Sequence, residues 1–235
     1  MAVNTTTSFA PEVGDIAEEA YEMAGVELKN AYDIRSAIRS LDLMMLEWQN
    51  RGINLWTVEE QKTTTLTKSA VSIDLAANTV SVLETTLREN DGTVATQIDY
   101  NLNRISREVY SSIPNKLTEG RPVQVYIDRQ QAPADGVTAY FWPVPDKSST
   151  YKLVYYRMRR ITDSGPGVAY NPDVPDRFWP ALVSGLAYNI ALKKPEAFGR
   201  VQVLKQVYDE QFNLAAAEDR EKTSVRFYPG GYNFT

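Results

Sequence analysis

The stretch AYDIRSAIRSLDLMMLEWQNRG, residues 31–52, decides the reading of the fold. Ala31, Ile34, Ile38, Leu41, Met45 and Trp48 recur in steps of three and four, the spacing of one face of an α-helix. Asn30 stands where an N-cap belongs and Gly52 where the helix should stop. Met44 and Met45 read as core filler rather than as a groove for a partner. Beyond Gly52 the pattern changes. Val71, Ile73 and Leu75 alternate with Ser72 and Asp74, and Val123, Val125 and Ile127 alternate with Gln124 and Tyr126, as half-buried strands do.

Working outward from that switch, Val13, Ile16, Ala17, Ala20, Tyr21 and Ala24 mark a short amphipathic helix before it, with Gly25 at the left-handed C-cap position. After it, Ala76 to Thr79 and Asn90-Asp91-Gly92 carry turn chemistry, the second a hairpin signal. Asn101 to Pro114 mixes loop and helix signals, with Ser106 and Glu108 at the start of a short helical turn. The Gly-, Pro-, Asp- and Asn-rich residues 162–174 read as a linker loop. Helices then return. Phe178, Leu182, Leu186 and Ile190 share a face from a start at Pro175 or Asp176, and Pro180 is tolerated in the first turn. A last helix from near Pro195 carries Val201, Leu204, Tyr208, Phe212 and Ala215, with Lys205 and Asp209 spaced for an ion pair. The expected fold class is α+β. Residues 11–52 and 175–220 form a helical bundle, 53–161 an inserted antiparallel β-sandwich or barrel-like domain, and 221–235 an aromatic C-terminal arm.

The chain of 235 residues has neither cysteine nor histidine. That excludes disulfides, zinc fingers, thiol nucleophiles and histidine-based triads. No P-loop or dinucleotide fingerprint occurs, and Gly165-Pro166-Gly167 is a turn whose proline lacks a donor that a phosphate cradle needs. No carboxylate pair is nominated for catalysis, because a glycosidase pair is defined by separation in space. We expect no enzyme activity, no cofactor and no metal. No run approaches the ~18 apolar residues of a membrane span, and Met1 to Ala10 lacks a basic, apolar leader, so a soluble, untargeted chain is expected.

Charge is unevenly placed. Residues 1–52 hold nine acidic and four basic side chains, so the whole net charge of −5 lies there. Such a balance argues against a protein that grips nucleic-acid phosphates through a basic face. Glu18, Glu19 and Glu22 lie on the outer face of the first helix. Arg157, Arg159 and Arg160 close a strand, with Arg157 and Arg159 on one face and Arg160 on the other, and are candidates for a partner or subunit contact. Phe227, Tyr228, Tyr232 and Phe234 flank Pro229-Gly230-Gly231 and read as a docking arm. The aromatics at 140–142, 151 and 155–156 read as packing or subunit contact.

Several colinear phrases add to this. They are Leu41 to Met45 with Glu47-Trp48 and Gly52-Ile53; Asn115-Lys116 with Gly120-Arg121-Pro122; Pro143-Val144-Pro145; Tyr155-Tyr156-Arg157; and Pro175-Asp176 with Phe178-Trp179 and Leu182. Together they resemble the head-to-tail adaptor (connector, or tail tubular A) proteins of short-tailed double-stranded DNA bacteriophages, over about residues 11–215. The resemblance implies a non-enzymatic ring subunit, usually in twelve copies, between the portal protein ring and the tail nozzle protein. Packaged double-stranded DNA would pass its channel without specific binding. It also implies helices in the ring body, and a virion component assembled in the host cytoplasm. An acidic channel wall would repel phosphates, which puts Glu18, Glu19 and Glu22 at the lumen or a subunit seam. The competing readings are another tail tube or nozzle subunit, a carbohydrate-binding or glycan-cleaving accessory protein, and a nucleic-acid-binding module.

Overall fold

A computed structural model describes residues 10–52, 55–63, 65–129, 136–165 and 167–219, and it is α+β. Two compact units are present. One holds the described residues up to Ser40 and from Pro175 onward, and the other runs from Leu41 to Val174.

The first unit begins with α1 (Val13–Ala24), whose buried residues Val13, Ile16, Ala17, Ala20, Tyr21 and Ala24 are the six that periodicity selects. Gly25 adopts φ 74° at its C-cap, where the amides of Gly25 and Val26 satisfy the Glu22 and Tyr21 carbonyls. Next comes α2 (Ala31–Asn50), capped by Asn30 Oδ1, which accepts from the amides of Tyr32 and Asp33 at 2.9 and 3.0 Å. Its first turns correct the expected stripe: Ala31 is exposed, while Asp33, Ala37 and Ser40 are buried. The reason is electrostatic. Asp33 and Ser40 meet the lysines that end α4 (Trp179–Lys193), so polar side chains occupy positions that an apolar pattern cannot register. A 3-10 turn, Asp176–Phe178, leads into α4, and another, Pro195–Arg200, leads into α5 (Val201–Glu218). Helix α1 packs on α4 and α4 on α5, with Phe178 meeting Phe212 edge-on and Tyr188 stacked on Tyr208. Among the described residues Lys205 and Asp209 form no ion pair with each other, since both side chains lie at a solvated surface where pairing gains little.

The second unit takes in the last ten residues of α2, where Leu41, Met44, Met45 and Trp48 are buried. Its strands are β1 (Val58–Lys62), β2 (Ser72–Asp74), β3 (Thr79–Glu89), β4 (Ile98–Asn101), β5 (Asn103–Ile105), β6 (Glu119–Gly120), β7 (Gln124–Asp128), β8 (Thr138–Trp142), β9 (Val144–Pro145) and β10 (Tyr151–Arg159). They form sheets of order β1-β10-β3-β4 and β2-β8-β7-β5, with β6 beside β9. One core joins both larger sheets: Val82, Leu87, Leu153 and Tyr155 from the first, and Val125, Ile127, Ala139 and Phe141 from the second.

Two sequence expectations need correction here. The sheets are not wholly antiparallel, because β5 runs parallel to β7 and β6 to β9. Parallel neighbours require a crossover, and residues 106–123, including α3 (Arg107–Ser112), supply one between β5 and β7. The hairpin signal at Asn90-Asp91-Gly92 is met: β3 and β4 pair antiparallel across an eight-residue loop flanked by Glu89 and Ile98, and Asn90 and Gly92 take positive φ. Val123 is exposed rather than part of the buried alternation, because β7 starts one residue later.

Candidate functional site

Helix α1 presents a carboxylate face. Glu12, Asp15, Glu18, Glu19 and Glu22 are exposed along it, opposite the buried stripe. Glu12 and Asp15 also serve locally, as a reciprocal capping box in which the Glu12 amide donates to Asp15 Oδ2 at 3.1 Å. Beyond the C-cap an open groove of about 630 Å³ is lined by Glu18, Tyr21, Glu22, Gly25, Val26, Glu27 and Leu28. Arg200 reaches the same turn, its Nη1 donating to the Met23 carbonyl at 3.3 Å. A Cβ at Gly25 would lie 2.8 Å from that guanidinium.

Asp33 anchors the connection that follows. Its carboxylate, 3% exposed, accepts from Lys194 Nζ at 2.8 Å and from the Lys29 amide at 3.3 Å. The Lys194 bond holds the Asp33 carboxyl below the ordinary range, against the opposing effect of burial. Burial, followed by the Asp33 charge, raises the Tyr21 hydroxyl, which donates to the Asp33 carbonyl. Lys193 Nζ donates to the Ser36 carbonyl and to the Ser36 and Ser40 hydroxyls, and burial lowers its pKa. Sequence reasoning missed this cluster. One signal was available, Asn30 three residues before Asp33, the spacing of a capping box.

In the second unit the strand-end arginines are engaged internally. Arg157 is 8% exposed. Its Nη2 and Nε meet Glu59 Oε1 at 2.5 and 2.8 Å, and its Nη1 donates to the carbonyls of Ala76 and Ala77 and to Thr79 Oγ1. Tyr155 Oη accepts from the Ala76 amide at 2.9 Å. Two residues of β10 therefore clamp the turn by which the chain passes from β2 in one sheet to β3 in the other. Arg159 forks onto Asp173, and Arg160 lies 3.5 Å from Asp163. Asp173 also accepts from the Thr162 amide, and Asp42 accepts from the Ser164 amide and hydroxyl, so the loop 162–174 is tied down at several points.

Of the remaining aromatics, Phe141, Tyr151 and Tyr155 are buried. Tyr140 instead stacks on Tyr126 at 5.8 Å and lies tilted against Tyr110 at 5.5 Å, Tyr126 stacks on Tyr110 at 5.4 Å, and Lys116 Nζ is 5.5 Å from the Tyr110 centroid. Phe227, Tyr228, Tyr232 and Phe234 lie outside the described residues. Among the described residues no acidic cluster is placed to hold a metal ion, and no helix is long and apolar enough to cross a membrane.

These groups stabilise joints and coat surfaces; they do not converge on a reacting centre. Several of the phrases behind the resemblance take part in local pairings and turns. Glu119-Gly120 pairs with Val144-Pro145, the Asn115 carbonyl accepts from Trp142 Nε1, and Pro175 to Trp179 form the turn that starts α4. A family model described as SU10 adaptor protein matches residues 11–230. The chain belongs to the SU10 adaptor protein family. No curated protein matches it. Membership in this adaptor family agrees with the resemblance to phage head-to-tail adaptors, a structural family of the virion whose members meet other head and tail proteins.

The adaptor's paired carboxylates set its acid sensitivity. Burial raises the pKa of Asp173 and Glu59, but their arginine partners outweigh it and hold both below the ordinary range, as Lys194 does for Asp33. A folded pKa below the unfolded one contributes stability above the unfolded value and loses it as pH falls through the folded value. Thermal midpoints should therefore be flat above about pH 5 and fall steadily below about pH 4. Asp173→Asn should flatten that slope in a pH series of melts; an unchanged slope would show that Asp173 does not contribute.

Proposed function

We propose that this chain is a subunit of a homo-oligomeric ring, dodecameric in the manner of the adaptors it resembles. The ring joins the portal to the tail nozzle and forms part of the channel through which the genome is retained and then ejected. Residues 11–52 and 175–220 make its body as a helical bundle, 53–161 project as a sandwich-like β domain, 162–174 link the two, and 221–235 form the docking arm. The match to the adaptor family over residues 11–230 carries this reading. The exposed carboxylate face of α1 supports it.

Repeated around a ring, Glu18, Glu19 and Glu22 line the lumen or a subunit seam, where they keep DNA phosphates from adhering. Arg160, 41% exposed at its side chain, is the member of the arginine run best placed to meet a partner, since Arg157 and Arg159 are committed to Glu59 and Asp173. Phe227, Tyr228, Tyr232 and Phe234 supply the anchors of the arm. Electron microscopy of the protein mixed with portal rings tests the proposal. Added density of closed symmetry below the portal is expected. Bare portal rings would overturn it, and a ring with the α1 carboxylates on its outer rim would remove their channel role.

A further inference from the structure

We infer that the exposed face of α2 docks on the exposed face of α5 in a second copy of this chain, with the two helices running parallel. The inference deepens the ring reading and rests on it for the presence of a second copy.

Each of these helices buries one stripe and leaves a second, partly apolar one toward solvent. On α2 the second stripe is Tyr32, Ser36, Arg39 and Leu43. On α5 it is Val203, Val207, Glu210 and Leu214. Both sets step by four, three and four residues, the spacing by which two parallel helices meet along a seam. Tyr32, Leu43, Val203 and Leu214 are 60 to 66% exposed, so the ends of both stripes lack cover. Laid in register, apolar side chains meet at both ends, Tyr32 on Val203 and Leu43 on Leu214. Between them the one cation, Arg39, meets the one anion, Glu210.

Charge selects the partner. The carboxylates of α2 are already engaged within the chain, Asp33 by Lys194, Asp42 by Ser164 and Glu47 by Arg51. The side chains of Arg35 and Arg39 have no hydrogen bond or ion pair among the described residues, and neither has that of Glu210. The start of α2 and the whole of α5 belong to one unit, in which both faces stay exposed, so a chain does not cover its own. Pairing either face with its equivalent in a second copy would bring arginine toward arginine or glutamate toward glutamate. An antiparallel pairing of α2 with α5 would set Arg39 over Val207 and Glu210 over Ser36. The parallel pairing of unlike faces joins the two charges and both apolar ends. Each copy then offers α2 to one neighbour and α5 to the other, a head-to-tail contact of the kind that closes into rings.

The absence of native cysteine makes the test direct in the full-length protein. A Tyr32→Cys variant, activated as its thionitrobenzoate mixed disulfide, is mixed with a Val203→Cys variant, with and without portal rings. The thiolate introduced at position 203 attacks the activated sulfur at position 32 and expels thionitrobenzoate, so only unlike pairs are captured. A covalent dimer of twice the 26.5 kDa chain mass is expected, in several-fold excess over a Val94→Cys partner, whose position is fully exposed in the other unit. Leu214→Cys in place of Val203→Cys should give the control yield. Arg39→Glu in the first chain, or Glu210→Arg in the second, should each lower the yield about tenfold, and the two together should restore it. All the substituted side chains are exposed, so the variants keep the parent fold. A yield no higher than the control in either sample, a yield insensitive to the single reversals, no recovery with both, or stronger capture at Leu214→Cys would each overturn the inference. The same mixtures are imaged. Closed density on the portal without the cross-link overturns this contact alone, and the cross-link beside bare portal rings overturns the adaptor reading alone.

Discussion

Arg157→Met is expected to destabilise the β-rich unit by about 3–5 kcal/mol, the cost of removing one partner from a buried ion pair. The guanidinium gives hydrogen bonds to four groups besides its place on the sheet: Glu59, the Ala76 and Ala77 carbonyls and Thr79 Oγ1. Methionine fills much of the volume but donates nothing. Two turn carbonyls and a partly buried carboxylate are then left without their donors. Because Glu59 retains some solvent, most of the loss comes from the turn. In thermal unfolding followed by tryptophan fluorescence the midpoint should fall by on the order of 10 °C. Arg157→Lys should recover less than half of this, since an ammonium cannot fork between Glu59 and the turn at once. A change below about 1 kcal/mol for Arg157→Met would mean that water replaces these bonds without loss.

Phe141→Ala should cost a similar amount, about 3–5 kcal/mol, for a different reason. Its ring is fully buried in the core to which both larger sheets contribute. Truncation forfeits the burial of the ring and leaves a cavity between Val125, Leu153 and their neighbours, which paired strands cannot close by collapsing. Phe141→Leu, nearer in volume, should cost less than about 1.5 kcal/mol, and Val94→Ala, at a fully exposed position, should lie within about 0.5 kcal/mol of the parent. Urea unfolding of the three variants checks the order. Near-equal midpoints for Phe141→Ala and Val94→Ala would show that the sheets do not share a tightly packed core.

Much of the helical part was legible because its physics is local. The stripes of α1 and α4 bury the residues selected by a 3.6 period, α5 buries all of its stripe but Val201, which is half-buried, and Gly25, Asn30 and Ser106 take the capping roles their chemistry favours. The first turns of α2 were misread because their buried face is polar. Periodicity counts apolar residues, and the partner that makes a buried Asp33 acceptable lies 161 residues away, at Lys194. The parallel pairings were illegible for a related reason. Alternation marks a strand and the face it buries, while the choice of neighbour depends on where a crossover returns the chain.

The candidate surfaces divide in the same way. That the carboxylates of α1 are exposed follows from the amphipathic pattern alone. That Glu18, Glu22 and Glu27 line one groove does not, because it depends on how the chain turns after the Gly25 cap. The arginine run at 157–160 looked like one cationic patch. Folding separates it into a turn clamp at Arg157, a loop tether at Arg159 and a more exposed charge at Arg160, according to which acceptors each meets.

By itself the sequence determined the α+β class, the faces of three helices, the absence of cysteine and histidine, and the placement of the net charge in residues 1–52. All of these depend on the identity of a residue or on neighbours within a turn or two. Only the tertiary structure decided that Asp33 and Arg157 are buried and paired, that Tyr110, Tyr126 and Tyr140 stack, and that the second unit begins inside α2. Each of those joins residues far apart in the chain, and a charge is buried only where the fold brings a counter-charge or a set of carbonyls to meet it.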